Sequence, residues 1–361
     1  MLKRYLRYFD WFTFSIITLI SLTGLLFVYS ATYSTSQPFS IFFKKQFFGI
    51  ISGIIIYFIF SFIDYKKLCR WGYFFYYLMI CLLILTLLKG SIGKGGQRWI
   101  NLGIIGFQPS EIVKLFFPAY FVFFLESKKF NADYNFKDFK NIFLILCFSF
   151  VLIAKQPDLG TALIILFSGM ILFWLAGIKK SFFIWTFLSV LITTPISWKF
   201  LKDYQKKRIE VFFGSGDKQK ERYQIEQSTI AIGSGGFTGK GILNGTQSKL
   251  GFLPEGRTDF IFSVLCEEIG FLGAFLLLFL FFLFFLRIIL NIQNINSFFD
   301  KLLATGLLVP IILSTFINIF MVTNLLPSVG IPLPLMSYGI SHLWTTLASL
   351  GWINSILIRN H

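Results

Sequence analysis

Ten apolar runs dominate the sequence, and most have the length that an α-helix needs to cross a bilayer. A hydrocarbon core of about 30 Å requires about 20 apolar residues in helical conformation. The runs are continuous rather than alternating, which predicts spanning helices and not a closed β-barrel. The fold class is therefore an all-α polytopic membrane protein. We predict helices near 11–31, 46–63, 71–88, 110–125, 141–154, 159–176, 181–200, 260–286, 302–323 and 336–358.

The composition also indicates a membrane environment. The chain is 55% hydrophobic and 14% charged, and it contains 49 Phe residues. Soluble domains carry about 25% charged residues. The net charge of +16 comes from basic residues that cluster at the ends of apolar runs, as membrane topology and anionic headgroups favour. We therefore expect membrane lipids as partners, and no nucleic acid.

The N-terminal segment has two interpretations, because a basic start followed by an apolar run is also typical of a signal peptide. The run from Trp11 to Ala31 is longer than the ~7–15-residue core of a signal peptide. We predict a retained first helix.

Loop charges predict the orientation. With the N-terminus inside, the inner segments carry fifteen Lys and Arg residues and the short outer segments carry six. This excess predicts an even number of spans with both termini in the cytoplasm. The long outer loop at 201–259 is excluded from the count, because long loops largely escape the rule. We predict one membrane domain over 1–361, with this extracytoplasmic loop between the seventh and eighth helices.

Four outer segments are rich in Gly, Pro and isolated charges, whereas the inner loops are not. Because all four lie on one side in the predicted topology, we infer one composite outer site. The segments are GSIGKGGQRWINLGIIGFQPSEIVK, AKQPDLGT, AIGSGGFTGKGILNGTQSKLGFLPEGRTDF and NLLPSVGIPLPLMSYGIS.

The glycine-rich SGGFTGKG is not a phosphate-binding P-loop. Ser234 stands where the motif needs its first Gly, and Gly241 follows Lys240 where the motif needs Ser or Thr. A flexible turn is the simpler interpretation, although Lys240 among free backbone N–H groups could hold an anion.

Several charges enter apolar helices, where solvation is expensive and function is the usual reason for a charge. Glu111 and Lys114 share a helix face, which is also consistent with a structural salt bridge. Lys155 and Asp158 flank a Pro break. Arg98 precedes Trp99, and anchoring to headgroups is its alternative role.

Asp259 lies where a polar loop meets an apolar span. Partial burial would raise the pKa of its carboxyl, and Arg257 would lower it. A carboxylate so placed can act as a general base. Capping of the following helix by Thr258 or Asp259 is the structural alternative.

The cysteines and histidines predict no zinc site. The four cysteines match no metal-binding spacing, and the chain has only two histidines. No cofactor is predicted, and a possible divalent cation cannot be identified from the sequence.

An outer site has no access to ATP, so a synthetic reaction there needs a substrate that carries its own leaving group. A lipid-linked sugar diphosphate does. Its diphosphate would need cations, its lipid tail a path between helices, and its sugar acceptor a base. The same constellation of residues also fits a lipid transporter. The candidate cations are Arg98, Lys114, Lys155, Lys240 and Arg257.

Four ordered motifs resemble the SEDS family (RodA/FtsW/SpoVE) of peptidoglycan glycosyltransferases over essentially the whole chain. They are RWINLGIIGFQPSEIVKL, KQPDLGTAL, AIGSGGFTGKGILNGTQSKLGFLPEGRTDFIFSVLCEEIGFLG and PSVGIPLPLMSYG. GKG followed by GTQS is similar to the elongation branch of the family rather than to its division-specific branch.

The resemblance implies polymerisation of lipid II outside the cytoplasmic membrane. Asp259 occupies the position of the catalytic aspartate, which would deprotonate the acceptor GlcNAc 4-hydroxyl. That hydroxyl attacks the anomeric carbon of the donor MurNAc and expels undecaprenyl diphosphate. The implied partner is a class B penicillin-binding protein, a transpeptidase. The implied substrate-site residues are Arg98, Glu111, Lys114, Lys155 and Asp158, with Glu255 and Thr258 beside the base.

Two residues depart from the family pattern. Arg257 replaces a usual His, which should depress the pKa of Asp259 and could help to hold diphosphate. Ile340 replaces a usual Gly, which puts close backbone packing there in doubt. A flippase for lipid-linked precursors and a non-catalytic scaffold remain alternatives, but the inner loops offer a flippase no matching polar entry.

Overall fold

The computed structural model describes residues 7–93, 96–101, 106–128, 136–200, 203–212 and 223–360. Within these residues, ten long helices coincide with the ten predicted apolar runs. They are α1 (Trp11–Thr32), α2 (Ile41–Phe62), α3 (Tyr65–Lys89), α4 (Pro109–Ser127), α5 (Phe136–Lys155), α6 (Leu159–Leu175), α7 (Lys180–Phe200), α11 (Ile261–Gln293), α12 (Phe298–Val322) and α13 (Ile340–Asn360). Five of them, α1, α2, α3, α11 and α12, are long and apolar enough to cross a membrane by length and composition.

Short polar residues fix where several helices begin. Asp10 accepts a hydrogen bond from Thr13 N at 3.1 Å at the start of α1. Ser40 accepts from Phe43 N at 3.1 Å at the start of α2. These side chains satisfy N–H groups that the first turn of a helix leaves without partners, which stabilises each terminus by about 1 kcal/mol.

The interior is aromatic and aliphatic, and the outward helix faces are apolar as well. Trp352 and Tyr57 are almost completely buried, whereas Phe48 and Phe275 are more than half exposed. Small residues allow close helix contacts: a Cβ at Gly351 would collide with the backbone of Tyr57. An apolar surface of this kind requires lipid as its solvent.

A three-stranded antiparallel sheet, which the sequence pattern did not predict, follows α3. It consists of β1 (Ser91–Gly93), β2 (Gly96–Asn101) and β3 (Gly106–Phe107), in the order β1-β2-β3. Ile100 pairs with Phe107. Arg98 and Trp99 lie on β2, and β3 ends just before α4.

The segment between α7 and α11 contains three further helices. They are α8 (Asp203–Phe212), α9 (Tyr223–Ser234) and α10 (Thr246–Lys249). The run DKQKERYQIEQSTIAI before Gly233 is typical of a helix that stops at a glycine, and α9 confirms this prediction over Tyr223–Ser234. Residues 217–222 of that prediction lie outside the described residues. The buried Ser228 hydroxyl of α9 lies 2.7 Å from that of Ser263 in α11 and donates to the Val322 carbonyl of α12 at 2.8 Å.

Helix α11 is interrupted at Gly270, whose φ and ψ are 69° and −162°. The glycine-rich segment 235–241 forms hydrogen bonds with the backbone groups that the interruption leaves without helical partners. Lys240 N and Gly241 N donate to the carbonyls of Glu267 and Glu268 at 3.0 and 2.9 Å.

On the other side of the break, the same segment accepts hydrogen bonds. Phe271 N and Leu272 N donate to the carbonyls of Gly236 and Phe237 at 2.9 and 3.2 Å. Backbone groups without partners are costly in an apolar region, so the segment and the break form one structural unit.

We predict that Gly239→Ala destabilises the protein more than Gly236→Ala. Both residues have positive φ, which costs an alanine about 1 kcal/mol or somewhat more. A Cβ at Gly239 would also collide with the Glu268 carbonyl, whereas a Cβ at Gly236 meets no atom within 4 Å. The apparent melting temperature in detergent measures the difference, and equal losses would show that the segment does not pack on the break.

Candidate functional site

The four segments that are rich in Gly, Pro and isolated charges meet around one cavity of about 330 Å³, termed the Asp259 cavity. Both polar and apolar side chains form its wall, which combines β2, the starts of α4 and α6, the turn before α11 and the loop before α13. Helices α8 and α9 also contribute. The lining residues are Arg98, Trp99, Gln108, Glu111, Asp158, Thr161, Arg208, Gln224, Glu255, Thr258, Asp259, Val329, Gly330, Pro332, Tyr338, Gly339, Ser341 and His342.

Hydrogen bonds to its backbone hold the turn that carries Asp259. Asn318 Nδ2 donates to the carbonyls of Asp259 and Ile331, each at 2.7 Å. The Ser337 hydroxyl donates to the Thr258 carbonyl at 2.7 Å. The turn is thereby attached to α12 and to the proline-rich loop at 324–339, and its side chains are positioned by a scaffold distant in sequence.

The Asp259 side chain is half-buried and lies on the cavity wall. Gly330, at φ +70°, brings the proline-rich loop close to it, and a Cβ there would lie 3.5 Å from Asp259 Oδ2. The N-cap position of α11 is Phe260, rather than Thr258 or Asp259, and makes no side-chain capping hydrogen bond.

Thr258 binds Glu255 instead of capping the helix. Its hydroxyl donates to Glu255 Oε2 at 2.6 Å. Both residues line the cavity beside Asp259, so three polar side chains of LPEGRTDF lie at one place.

Arg257 lies beside the cavity wall, and its side chain is not among the groups that line the cavity. Its guanidinium carbon is 3.9 Å from the centroid of the Phe42 ring. Its carbonyl accepts from Tyr338 N at 3.0 Å. Burial raises the pKa of the Tyr338 hydroxyl, and the positive charge of Arg257 opposes that rise. Tyr338 therefore remains protonated at neutral pH.

Arg98 and Asp158 form one side of the cavity. Arg98 Nη1 is 3.8 Å from Asp158 Oδ1, and Arg98 Nε donates to the Gln156 carbonyl at 3.0 Å. Asp158 also accepts from Gln108 Nε2 at 2.9 Å and from Thr161 N at 3.3 Å, which caps α6. The carboxylate therefore has a structural role in addition to its place in the cavity.

Glu111, Lys114 and His342 form a buried cluster at another side. Glu111 Oε2 is 2.8 Å from Lys114 Nζ and 2.9 Å from His342 Nδ1. All three side chains are less than a tenth exposed. Glu111 and His342 line the cavity, and Lys114 lies behind them. The ion pair predicted from the spacing of Glu111 and Lys114 is present.

Two other lysines with a predicted substrate role lie elsewhere. Lys155 is exposed at the end of α5 and does not line the cavity. Lys240 Nζ is 2.7 Å from Glu267 Oε1 and 2.8 Å from Thr246 Oγ1. Its ammonium group thus holds the glycine-rich segment against α11, which is a structural use of the charge.

Eight polar or aromatic residues of the lining were not among the predicted site residues: Trp99, Gln108, Thr161, Arg208, Gln224, Tyr338, Ser341 and His342. Arg208 and Gln224 belong to α8 and α9, whose sequences resemble solvated helices. His342 carried one usable signal, because it is one of only two histidines and follows the proline-rich loop.

The cavity combines carboxylates with two guanidinium groups, those of Arg98 and Arg208. A carboxylate can accept a proton from a hydroxyl, and a guanidinium can bind phosphate oxygens in pairs. The arrangement therefore suits an anionic substrate whose hydroxyl is to be deprotonated.

The chain is similar to known proteins over nearly its whole length. Residues 10–361 match the FtsW/RodA/SpoVE family model, described as Cell cycle protein. Peptidoglycan glycosyltransferase MrdB of Escherichia coli (strain K12) is 38% identical over 351 residues, covering 94% of this chain and 92% of that protein.

Two solved structures share the fold. One is described as structural coordination of polymerization and crosslinking by a peptidoglycan synthase complex, and its TM-score is 0.82 at 24% identity over 98% of both chains. The other is the rod shape determining protein RodA of Thermus thermophilus, with a TM-score of 0.72 at 24% identity over 97% of this chain and 96% of that chain. The predicted fold class, a helical polytopic membrane protein, is confirmed.

We predict that Lys240→Met destabilises the protein by on the order of 3 kcal/mol, because it leaves the buried Glu267 carboxylate without its cation. Lys155→Met is the matched control and should change stability little, since that side chain is exposed. Apparent melting temperatures in detergent provide the comparison. A Lys240→Met protein as stable as the control would contradict a structural role for this pair.

Proposed function

Because this chain belongs to the FtsW/RodA/SpoVE family of cell cycle proteins, we propose that the Asp259 cavity is the active site of a peptidoglycan glycosyltransferase. The enzyme polymerises lipid II into glycan strands during cell elongation. The observation that carries the proposal is the half-buried Asp259, held on the wall of a cavity that also presents two guanidinium groups.

In the proposed reaction Asp259 is the general base. Its carboxylate takes the proton of the acceptor GlcNAc 4-hydroxyl, and the oxygen attacks the anomeric carbon of the donor MurNAc. The bond between that carbon and the diphosphate oxygen breaks, so undecaprenyl diphosphate leaves with the electron pair. A positioned base typically contributes about 10²–10⁴-fold to the rate. The hydrogen bonds to the Asp259 turn supply such positioning.

The diphosphate binds, in this proposal, near the cations of the cavity. Arg98 and Arg208 line it directly. Glu111 and Lys114 support the wall beside them, and Asp158 orients Arg98. Thr258 and Glu255 shape the surroundings of the base. Lys155, Lys240 and Arg257, proposed from the sequence as substrate contacts, act less directly, because each lies outside the cavity lining.

The cellular context is also part of the proposal. The chain forms one domain over 1–361 in the bacterial cytoplasmic membrane, with both termini inside and the Asp259 cavity on the outer face. The partner is a class B penicillin-binding protein, whose transpeptidase crosslinks the strands. Similarity to a chain of a peptidoglycan synthase complex that coordinates polymerization and crosslinking supports this partnership.

We predict that Asp259→Asn lowers lipid II polymerisation by at least about a hundredfold, because an amide cannot accept the hydroxyl proton. Purified protein, with its transpeptidase partner, is incubated with lipid II, and glycan length is measured on gels. Asp64→Asn is the matched control, since Asp64 caps α3 and asparagine caps equally well.

Polymerisation by Asp259→Asn at the rate of the wild-type protein would overturn the assignment of the base. If the wild-type protein moves lipid II across the bilayer of proteoliposomes and does not polymerise it, this result would support a flippase instead. If neither the wild-type protein nor Asp259→Asn polymerises lipid II, and the gene for each still maintains cell growth, a scaffold would be supported.

A further inference from the structure

A cavity of about 270 Å³, termed the Arg287 pocket, lies near the C-terminal end of α11, whereas Asp259 precedes the N-terminal end of that helix. The segment before α1, the first turn of α1 and Leu357 of α13 complete its wall. Among the described residues, this pocket and the Asp259 cavity share no lining group. The pocket has room for several water molecules, and therefore for a phosphate group.

Aromatic packing holds the segment before α1 against α2. Phe9 is buried, and its ring stacks on the ring of Phe58 with the centroids 5.8 Å apart. The ring of Tyr57 meets that of Phe9 edge-on at 6.2 Å. Arg7, two residues before Phe9, is exposed and lines the pocket. Its guanidinium group is therefore attached to an anchored piece of backbone.

Asp10 contributes a carboxylate to the pocket, and four donors already occupy its oxygens. They are Thr13 N at 3.1 Å, Thr13 Oγ1 at 2.7 Å, Asn291 Nδ2 at 2.6 Å and Arg287 Nε at 3.3 Å. A carboxylate has about four acceptor sites. Asp10 is thus fully used by the protein, and one effect of its bonds is to fix the position of the Arg287 guanidinium.

Arg287 is the only Lys or Arg of α11. A charge that enters an apolar helix usually serves a function, because its desolvation is expensive. Its Nε atom binds Asp10, and within the described part of the chain no hydrogen bond engages its two Nη atoms. The guanidinium carbon is 6.0 Å from the centroid of the Phe12 ring. The side chain therefore retains a pair of parallel donors for a ligand.

The charge and the border of the pocket both indicate the class of ligand. The described lining groups include two guanidinium groups and one carboxylate, which leaves one positive charge in excess. Trp11 and Phe12 also line the pocket and are 52% and 53% exposed. Aromatic side chains of this kind are typical of the boundary between membrane and water. The complementary ligand is an anion that resides at that boundary.

We propose that the Arg287 pocket binds the phosphate of an anionic glycerophospholipid. Guanidinium groups bind phosphate oxygens in pairs, and Arg7 and Arg287 supply two such groups. The acyl chains lie along the outward face of α1, where Phe12, Leu19 and Leu26 are exposed at i, i+7 spacing. Because Phe12 belongs both to this face and to the pocket wall, one molecule can contact both.

The leaflet that supplies the lipid follows from the proposed topology, in which this end of α11 faces the cytoplasm. Basic pockets between membrane helices on that side are suited to lipid headgroups. Binding itself does not depend on glycosyltransferase activity.

The experiment measures binding of dioctanoyl phosphatidylglycerol to the purified full chain in detergent by native mass spectrometry. Arg7→Gln should weaken binding by about fivefold, the effect of one basic residue near a charged membrane surface. Arg287→Lys keeps the charge beside Asp10 but lacks the planar fork, and should weaken binding by about threefold. Arg70→Gln, which removes an exposed arginine from the first turns of α3, is the matched control and should bind as wild type.

Two further ligands separate a lipid from other sources of phosphate. Dioctanoyl phosphatidylcholine, whose headgroup has no net charge, should bind at least about fivefold more weakly than phosphatidylglycerol. Inorganic phosphate at the same concentration should leave bound phosphatidylglycerol in place. Displacement of the lipid by inorganic phosphate would overturn the inference and assign the pocket to free phosphate.

Equal affinity of the wild-type protein and Arg7→Gln for phosphatidylglycerol would also overturn the inference. So would an equal loss in Arg7→Gln and Arg70→Gln, because the attraction would then come from surface charge in general. Arg7 is exposed, so this comparison does not depend on the folding of the Arg287 variant. Asp259→Asn should bind the phospholipid as the wild type does, so failure of the proposed function and failure of this inference are separate results.

Discussion

The rest of the structure depends on how the backbone N–H and carbonyl groups at the break in α11 find hydrogen-bond partners. A helix in an apolar environment has no water to compensate lost backbone hydrogen bonds, so an interruption must find protein partners. Here segment 235–241 supplies donors for carbonyls before Gly270 and acceptors for N–H groups after it. The first nine residues of α11 thereby become a separate short helix, fixed at one end by this segment. Asp259 lies just before the other end.

The N-terminal end of this short helix is held by a second set of hydrogen bonds. Asn318 from α12 and Ser337 from the proline-rich loop bind successive carbonyls of the turn. Both sets of hydrogen bonds act on backbone atoms, and both leave the Asp259 side chain in the cavity. A base must be held to well under 1 Å to be effective. The scaffold meets this requirement with contacts that reach Asp259 from several separate elements.

The helices could be predicted because an apolar run of spanning length permits few other structures. The convergence of four loops was also predictable, since loop charges sort them to one side. The sheet was not, because residues 91–107 contain glycines and lack a clear alternation. Arg208 and His342 reach the cavity only through tertiary packing. For Lys240, the sequence pattern suggested the wrong partner. A cation among glycines indicated anion binding, but the ammonium group binds Glu267, which lies 27 residues away in the sequence.

Both departures from the family pattern meet the same face of α2. Arg257 lies on the Phe42 ring. Ile340 is directed at Gly49, where an added Cβ would lie 3.5 Å from Ile340 Cγ1. Between these two contacts, one turn along the helix from Phe42, Gln46 donates to the Ser337 carbonyl at 3.2 Å.

Positions 42, 46 and 49 share one helical face, because residues spaced by four and three lie above one another. That face therefore supports the turn before Asp259 and the loop that binds it. The Arg257 guanidinium stacks on the Phe42 ring, so its charge lies beside the cavity wall rather than inside the cavity. The larger Ile340 side chain is accommodated by the absence of one at Gly49. Arg257 and Ile340 thus both pack behind the wall, and neither is among the groups that line the Asp259 cavity.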